Sequence, residues 1–187
     1  MEFRKVTEKD AKQLCSLIEE MNNNLSNKAW FITMESDMDN VTKMINKERF
    51  YILGAFDGEK LAGIASLDYK NGKMPEKYEF PDWCNIKEMV EFAFSIVALE
   101  YRGKGLMFEM LQEINKIAIE QGYKYACCTV HNDNHPSKKN LLKIGFEYYM
   151  SIAQDTEFPR DIMLMKLNSK DQLKNPNENV VRKWNGL

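Results

Sequence analysis

Histidine and cysteine are scarce: two and four in 187 residues, and none stands at the spacings that hold zinc. No metal site is expected. Cys127 and Cys128 are adjacent in a strand-like run, where neighbours point to opposite faces. With Cys15 and Cys84 they read as buried, reduced thiols. No apolar run reaches the length of a membrane span. The opening stretch, MEFRKVTEKDAKQL, lacks the apolar centre of a signal peptide. Neither sign of charge dominates, since the formal net charge is only -2. Such a chain has no overall field to draw in nucleic acid or acidic lipid, and its basic clusters are as short as Lys138-Lys139. The expectation from these absences is a cytoplasmic protein that binds neither nucleic acid nor membrane.

What remains is an ordinary globular balance, 44% hydrophobic and 29% charged, in a length that suits one domain with a real core. The most informative stretch is Glu91 to Gly105, EFAFSIVALEYRGKG. Apolar and aromatic residues lead into Arg102-Gly103-Lys104-Gly105. After it Leu106, Met107, Met110, Leu111, Ile114, Ile117 and Ala118 recur at helical spacing. A strand therefore runs into a glycine loop that opens a helix. Glycine lets backbone approach a ligand, and the first helical turn leaves N–H groups free for an anion. A phosphate fits there.

Taken in order, residues 2–6 form a short strand. Thr7 caps a helix, with Asp10 returning the bond and Asn22-Asn23-Asn24 ending it. A second helix covers about 36–47. Strands over 50–56 and 61–69 are joined by Asp57-Gly58, a hairpin signal. A long polar loop, 70–87, precedes a strand over 91–99. The helix after the glycine loop stops at Gly122, a strand covers 125–131, and Pro136 opens a short helix that ends at Gly145. Residues 146–153 and 162–167 read as a closing antiparallel pair. Residues 1–167 are expected to form a single α/β domain around a mixed sheet, and 168–187 a polar tail.

Two segments resemble the GCN5-related N-acetyltransferase (GNAT) superfamily. ALEYRGKGL, Ala98 to Leu106, resembles its acetyl-CoA pyrophosphate loop. VHNDNHPSKKNLLKIGF, Val130 to Phe146, resembles its second coenzyme segment, an Asn followed by a short helix ending in Lys-x-Gly-Phe. The resemblance implies an α+β fold: a central, mostly antiparallel sheet flanked by helices and splayed between strands 91–99 and 125–131. It implies acetyl transfer from acetyl-CoA, the co-substrate, to a primary amine of a small molecule or peptide by direct attack on the thioester, with no metal. The implied cofactor contacts are Val97, Ala98, Arg102, Gly103, Lys104, Gly105, Leu106, Met107, Asn134, Ser137 and Asn140.

Glu91 is the candidate general base, because several members carry a catalytic Glu at that place. Alternation would set it on one strand face with Ala93, Ser95 and Val97, and an apolar strand would raise its pKa. The backbone N–H of Val97 is the candidate oxyanion donor. Leu141 stands where many members have a tyrosine that protonates the leaving thiolate. Tyr148, Tyr149, His131, His135 and water are the replacements available. The acceptor site is expected from residues 22–35, the 70–87 loop and the last strand pair. Trp30, Phe31 and Trp83 are its candidate residues, Phe158 is a further aromatic, and Glu35, Asp37 and Asp82 are acids that would attract an amine. The competing reading is a non-catalytic acetyl-CoA-binding sensor or partner module on the same fold. P-loop and dinucleotide folds lack their signatures. The oligomeric state stays open, a homodimer included.

Overall fold

Alternating apolar residues and tight turns build one sheet. The structure, a computed structural model, describes residues 1–31, 34–69, 80–152 and 159–167. Its strands are β1 (Glu2–Lys5), β2 (Phe50–Asp57), β3 (Lys60–Asp68), β4 (Met89–Val97), β5 (Tyr125–His131), β6 (Glu147–Ile152) and β7 (Arg160–Lys166). Its helices are α1 (Ala11–Asn23), α2 (Met38–Asn46), α3 (Leu106–Glu120) and α4 (His135–Ile144). The sheet order is β1-β2-β3-β4-β5-β7-β6. All neighbours run antiparallel except β4 and β5. This is the mixed, mostly antiparallel sheet expected. The closing pair is present too, with β7 inserted between β5 and β6. Residues 70–79 of the long loop, Phe158 and the tail 168–187 lie outside the described residues. None of the described helices is long and apolar enough to cross a membrane.

Each face of the sheet has its own apolar layer. Val6, Ile52, Phe56, Ile64 and Ile96 pack with α1 and α2. Leu53, Ala65, Leu67, Val90, Phe92 and Val97 pack with α3 and with Leu141 of α4. Each of the larger of these side chains contributes roughly 1.5–3 kcal/mol relative to exposure. Cys127 and Cys128 are buried on opposite faces, and all four cysteines are free thiols.

Two irregularities give the sheet an opening and a change of face. First, β4 and β5 pair only at Met89–Tyr125, Val90–Ala126 and Glu91–Cys127. Past Glu91 they part, and β5 continues on β7 alone, through His131 opposite Arg160. A wedge-shaped gap opens between the C-terminal halves of two parallel strands. Second, β4 carries a β-bulge: Leu67 lies opposite Phe92 but Ala65 lies opposite Ser95, so Ala93 and Phe94 share one partner, Ser66. The Ser66 hydroxyl, buried, accepts from the Phe94 N–H at 3.1 Å and donates to its carbonyl at 3.1 Å.

The bulge corrects one expectation. Glu91 lies opposite Asp68 and shares its face, the α1/α2 side, whereas Val97 is in the layer under α3. One extra residue reverses the alternation, so Glu91 and Val97 do not share a face. The strand also ends at Val97 rather than at Leu99, which begins a single 3₁₀ turn, Leu99–Tyr101.

Replacing Ser66 tests the bulge. Ser66→Ala removes the partner of both Phe94 groups and is expected to cost about 1–3 kcal/mol of stability, read from the urea unfolding midpoint. An unchanged midpoint would show that the bulge is held by other contacts.

Candidate active site

The gap has a defined lip. Ala98 donates to the Ala62 carbonyl at 3.0 Å, which makes Ala62–Ala98 and Ile64–Ile96 the hydrogen-bonded pairs of the β3–β4 ladder. Val97, opposite Gly63, is a non-hydrogen-bonded pair, so its N–H and C=O point away from β3 and into the gap. The Val97 carbonyl accepts from Nε of Arg102 at 3.0 Å. Arg102 thus ties the glycine loop to the lip.

Beyond the lip the chain turns through Gly103 (φ +74°) and Gly105 (φ +87°) into α3. Side chains rarely adopt that backbone region. A Cβ at either glycine would meet nothing within 4 Å, so the space above the loop is open. The first backbone bond of α3 runs from the Glu109 N–H to the Gly105 carbonyl at 3.2 Å. The N–H groups of Leu106, Met107 and Phe108 precede it and have no helical partner. Open space, free N–H groups and a helix N-terminus suit a pyrophosphate. Lys104 extends over the Tyr101 ring, 5.6 Å from its centroid.

The second segment sits against the first. Lys143, of the Lys-x-Gly-Phe sequence, lies 3.8 Å above the ring of Phe108 in the first turn of α3. Phe146 packs edge-on against Phe92 of β4 at 5.2 Å. Asn134 caps α4, its Oδ1 accepting from the Ser137 N–H at 3.2 Å. Asn140 donates to the Pro136 carbonyl at 2.9 Å. Leu141 is buried in the core, which leaves an apolar packing group where many members have a tyrosine.

At the vertex, where β4 and β5 part, stands Glu91. It is half-buried, and its carboxyl is raised to about 7, first by burial and then by the neighbouring Asp68, against an opposing pull from Arg49. Asp68 is itself buried and takes Nε of Arg49 on both carboxylate oxygens at 2.8 Å. The Cys127 and Cys128 thiols near it are pushed well above the usual range by burial. On the α1/α2 side, the far wall is formed by Thr129 and His131 of β5 and by Arg160 of β7. His131 is buried, and its Nδ1 accepts from the Asp133 N–H at 3.1 Å. Arg160 donates to the Ala29 carbonyl at 2.7 Å, which draws the turn Lys28–Trp30 over this wall. The Nε1 of Trp30 is buried with no partner among the described residues.

Not all the expected residues converge. Trp83 packs on Tyr125 at 5.8 Å, with Lys166 above it at 4.8 Å. That is the paired end of β5, roughly 20 Å along the strand from the Arg160 end that holds Trp30. The structure does not bring Trp83 and Trp30 together. Tyr148 bonds to Ser151 at 3.0 Å and Tyr149 stacks on Phe80 at 6.3 Å. Both belong to β6, two strands from the gap, or about 10 Å. Arg49, Ser66 and Asp68 are not among the candidates the sequence offers, because only strand register brings them to Glu91.

A family model for the acetyltransferase (GNAT) domain matches residues 1–147. The chain belongs to that family. GNAT membership makes it an acetyltransferase, with acetyl-CoA as the donor class. Solved structures share the fold. An N-acetyltransferase from Staphylococcus aureus Mu50 is 16% identical, with a TM-score of 0.70, over 89% of this chain and 98% of that one. A ribosomal-protein-alanine N-acetyltransferase from Brucella melitensis is 19% identical, with a TM-score of 0.69, over 89% and 99%. The PaiA N-acetyltransferase from Thermoplasma acidophilum, solved in complex with coenzyme A, is 21% identical, with a TM-score of 0.65, over 88% and 98%. No curated protein matches the sequence.

The raised Glu91 carboxyl has a stability consequence. Its folded pKa, about 7, lies above the ordinary 4.5, so the folded protein holds the proton more tightly than the unfolded chain. Stability from this group is present below about pH 4.5 and is lost as pH rises through about 7. Glu91→Gln should therefore be more stable than the parent at pH 8, by about 1–3 kcal/mol, with the gap closing toward pH 5. Thermal unfolding at the two pH values checks it, and a gap that does not depend on pH would refute the raised carboxyl.

Proposed function

We propose that this GNAT protein moves an acetyl group from acetyl-CoA to a primary amine of a small molecule or peptide, by direct attack on the thioester. The observation that carries this reading is the Glu91 carboxyl, raised to about 7 at the vertex of the gap. A base poised near the working pH is what deprotonation of an ammonium needs. A non-catalytic acetyl-CoA sensor would not require it.

In this reading the pyrophosphate rests on the N–H groups from Gly103 to Met107, the Arg102 N–H being spent on the Leu99 carbonyl, with Gly103 and Gly105 clearing its path and Lys104 adding charge. The pantetheine arm lies along Val97 and Ala98 as an added strand, with Asn134, Ser137 and Asn140 on its other side. Glu91 takes a proton from the ammonium. The amine attacks the thioester carbonyl carbon from the α1/α2 side and forms the C–N bond. The oxygen gains the electron pair and is held by the Val97 N–H, a type of contact often worth several kcal/mol. The C–S bond then breaks, and the thiolate leaves with its electrons. It is protonated through water as nitrogen gives up its second proton. Trp30 and Phe31 border the acceptor.

Thiol release from acetyl-CoA, measured with amino acids, polyamines, aminoglycosides and peptide N-termini, tests the activity. Peptides belong in the panel because one structural neighbour is named for ribosomal-protein alanine. With an accepted amine, kcat/KM should fall about tenfold per pH unit below the Glu91 pKa. Glu91→Gln should lower kcat by about 10²–10⁴ while leaving acetyl-CoA affinity nearly unchanged. Unaltered turnover would remove Glu91 from the role. Binding without thiol release on any amine would favour the sensor.

A further inference from the structure

Two carboxylates and one guanidinium meet at the vertex, and they are not equivalent. Asp68 and Glu91 face each other across the β3–β4 ladder, where opposite residues have Cβ atoms about 5 Å apart. Arg49, just before β2, could in principle serve either. The structure commits it to Asp68: Nε contacts both carboxylate oxygens at 2.8 Å, and an Nη closes the fork on the second. The backbone holds this choice in place. The Arg49 carbonyl accepts from the Tyr69 N–H at 2.8 Å, and its guanidinium lies 5.2 Å from the Phe50 ring centroid. The Asp68 side chain is almost fully enclosed, while that of Arg49 is 39% exposed.

We propose that the Arg49–Asp68 pair positions and tunes the base: Asp68 occupies Arg49, so that Glu91 faces the gap without a cation of its own. This rests on the reading of Glu91 as the base. An Arg49 fork closed on Glu91 would leave a weak base, drawn toward β2 and away from the amine. With Asp68 taking the fork, Glu91 keeps a carboxylate neighbour instead. His131 and Arg160 stand on the wall across the gap; the nearer titratable groups among the described residues are the thiols of Cys127, on the same face, and of Cys128, behind the strand. Burial keeps both protonated near neutral pH, so they add no charge there. Among the described residues, Asp68 and Arg49 are the charged neighbours that act on Glu91, and they act in opposite directions.

That opposition gives a test that a scaffold role would not pass. Asp68→Asn removes a negative neighbour and releases Arg49 toward Glu91. The acidic limb of kcat/KM should move down by roughly one pH unit or more. Arg49→Gln removes the guanidinium from beside both carboxylates, and the limb should move up. A carbon-13 titration of the Glu91 carboxyl, in the full chain without substrate, should show the same pair of opposite shifts. Shifts in one direction for both variants, or none in either, would overturn the proposal. Should Asp68→Asn not fold, Arg49→Gln carries the test alone, with an upward shift required. The two claims fail separately. Opposite carboxyl shifts beside a Glu91→Gln variant of full activity would retain the tuning and dismiss the base. Loss of activity in Glu91→Gln with an immobile carboxyl titration would do the reverse.

Discussion

Everything in this molecule turns on where the backbone hydrogen bonds of β4 go. A strand in mid-sheet has neighbours on both sides, and a buried peptide group left unpaired costs about 1–3 kcal/mol. β4 keeps β3 from Glu91 to Val97 but gives up β5 after Glu91. Val97 is left with an N–H aimed at nothing in the sheet, and its carbonyl is satisfied by Arg102. The vacancy is polar. In the proposed reaction, the amide-bearing arm of the donor fills it. The fold is organised to leave one ladder incomplete.

The bulge gives that gap two sides. Without Ala93 and Phe94 sharing one partner, Glu91 and Val97 would project alike. With it, Glu91 turns toward α1 and α2, while the Val97 side chain joins the layer under α3 and its N–H stays in the plane of the sheet. The glycine loop and α3 lie on one side, and the carboxylate on the other. In the proposed reaction, donor and acceptor approach from these opposite faces and meet in the gap. Ser66 maintains this with a single hydroxyl that satisfies both backbone groups of Phe94.

Much of the architecture is legible in the sequence because its signals are local. Gly58, Gly103, Gly105, Gly122 and Gly145 all have positive φ, and each punctuates the chain where a turn or a helix end is expected. The limits of β5 match their pattern. The capping role of Asp10 is recognisable from Thr7, whose N–H it accepts at 2.9 Å. What escapes depends on long-range register. A bulge is one residue of slippage, and an alternating pattern of apolar residues does not reveal it when both faces are buried. Arg49 and Asp68 lie 19 positions apart and carry no motif. Trp83 and Trp30 look alike in sequence, both aromatic and loop-placed, but only the strand direction of β5 tells which end each occupies. The donor segments can be read because glycine and helix-start chemistry are written in consecutive residues. The wall proposed to border the acceptor is assembled from β5, β7 and the turn after α1, and no stretch of sequence contains it.

The place of β7 sets an order of events during synthesis. It lies between β5 and β6, so β5 has no partner beyond Glu91 until residues 160–166 are available. A ribosome releases the chain from its N-terminus, and domains form as their parts emerge. The layer of β1 to β4 with α1 and α2 can assemble early from hairpin contacts. The wall opposite Glu91 cannot, because Arg160 and the partners of Cys128 to His131 come last. A nascent chain that stops before β7 exposes the free edge of β5, a buried strand in the finished protein and a template for unwanted pairing until it is covered.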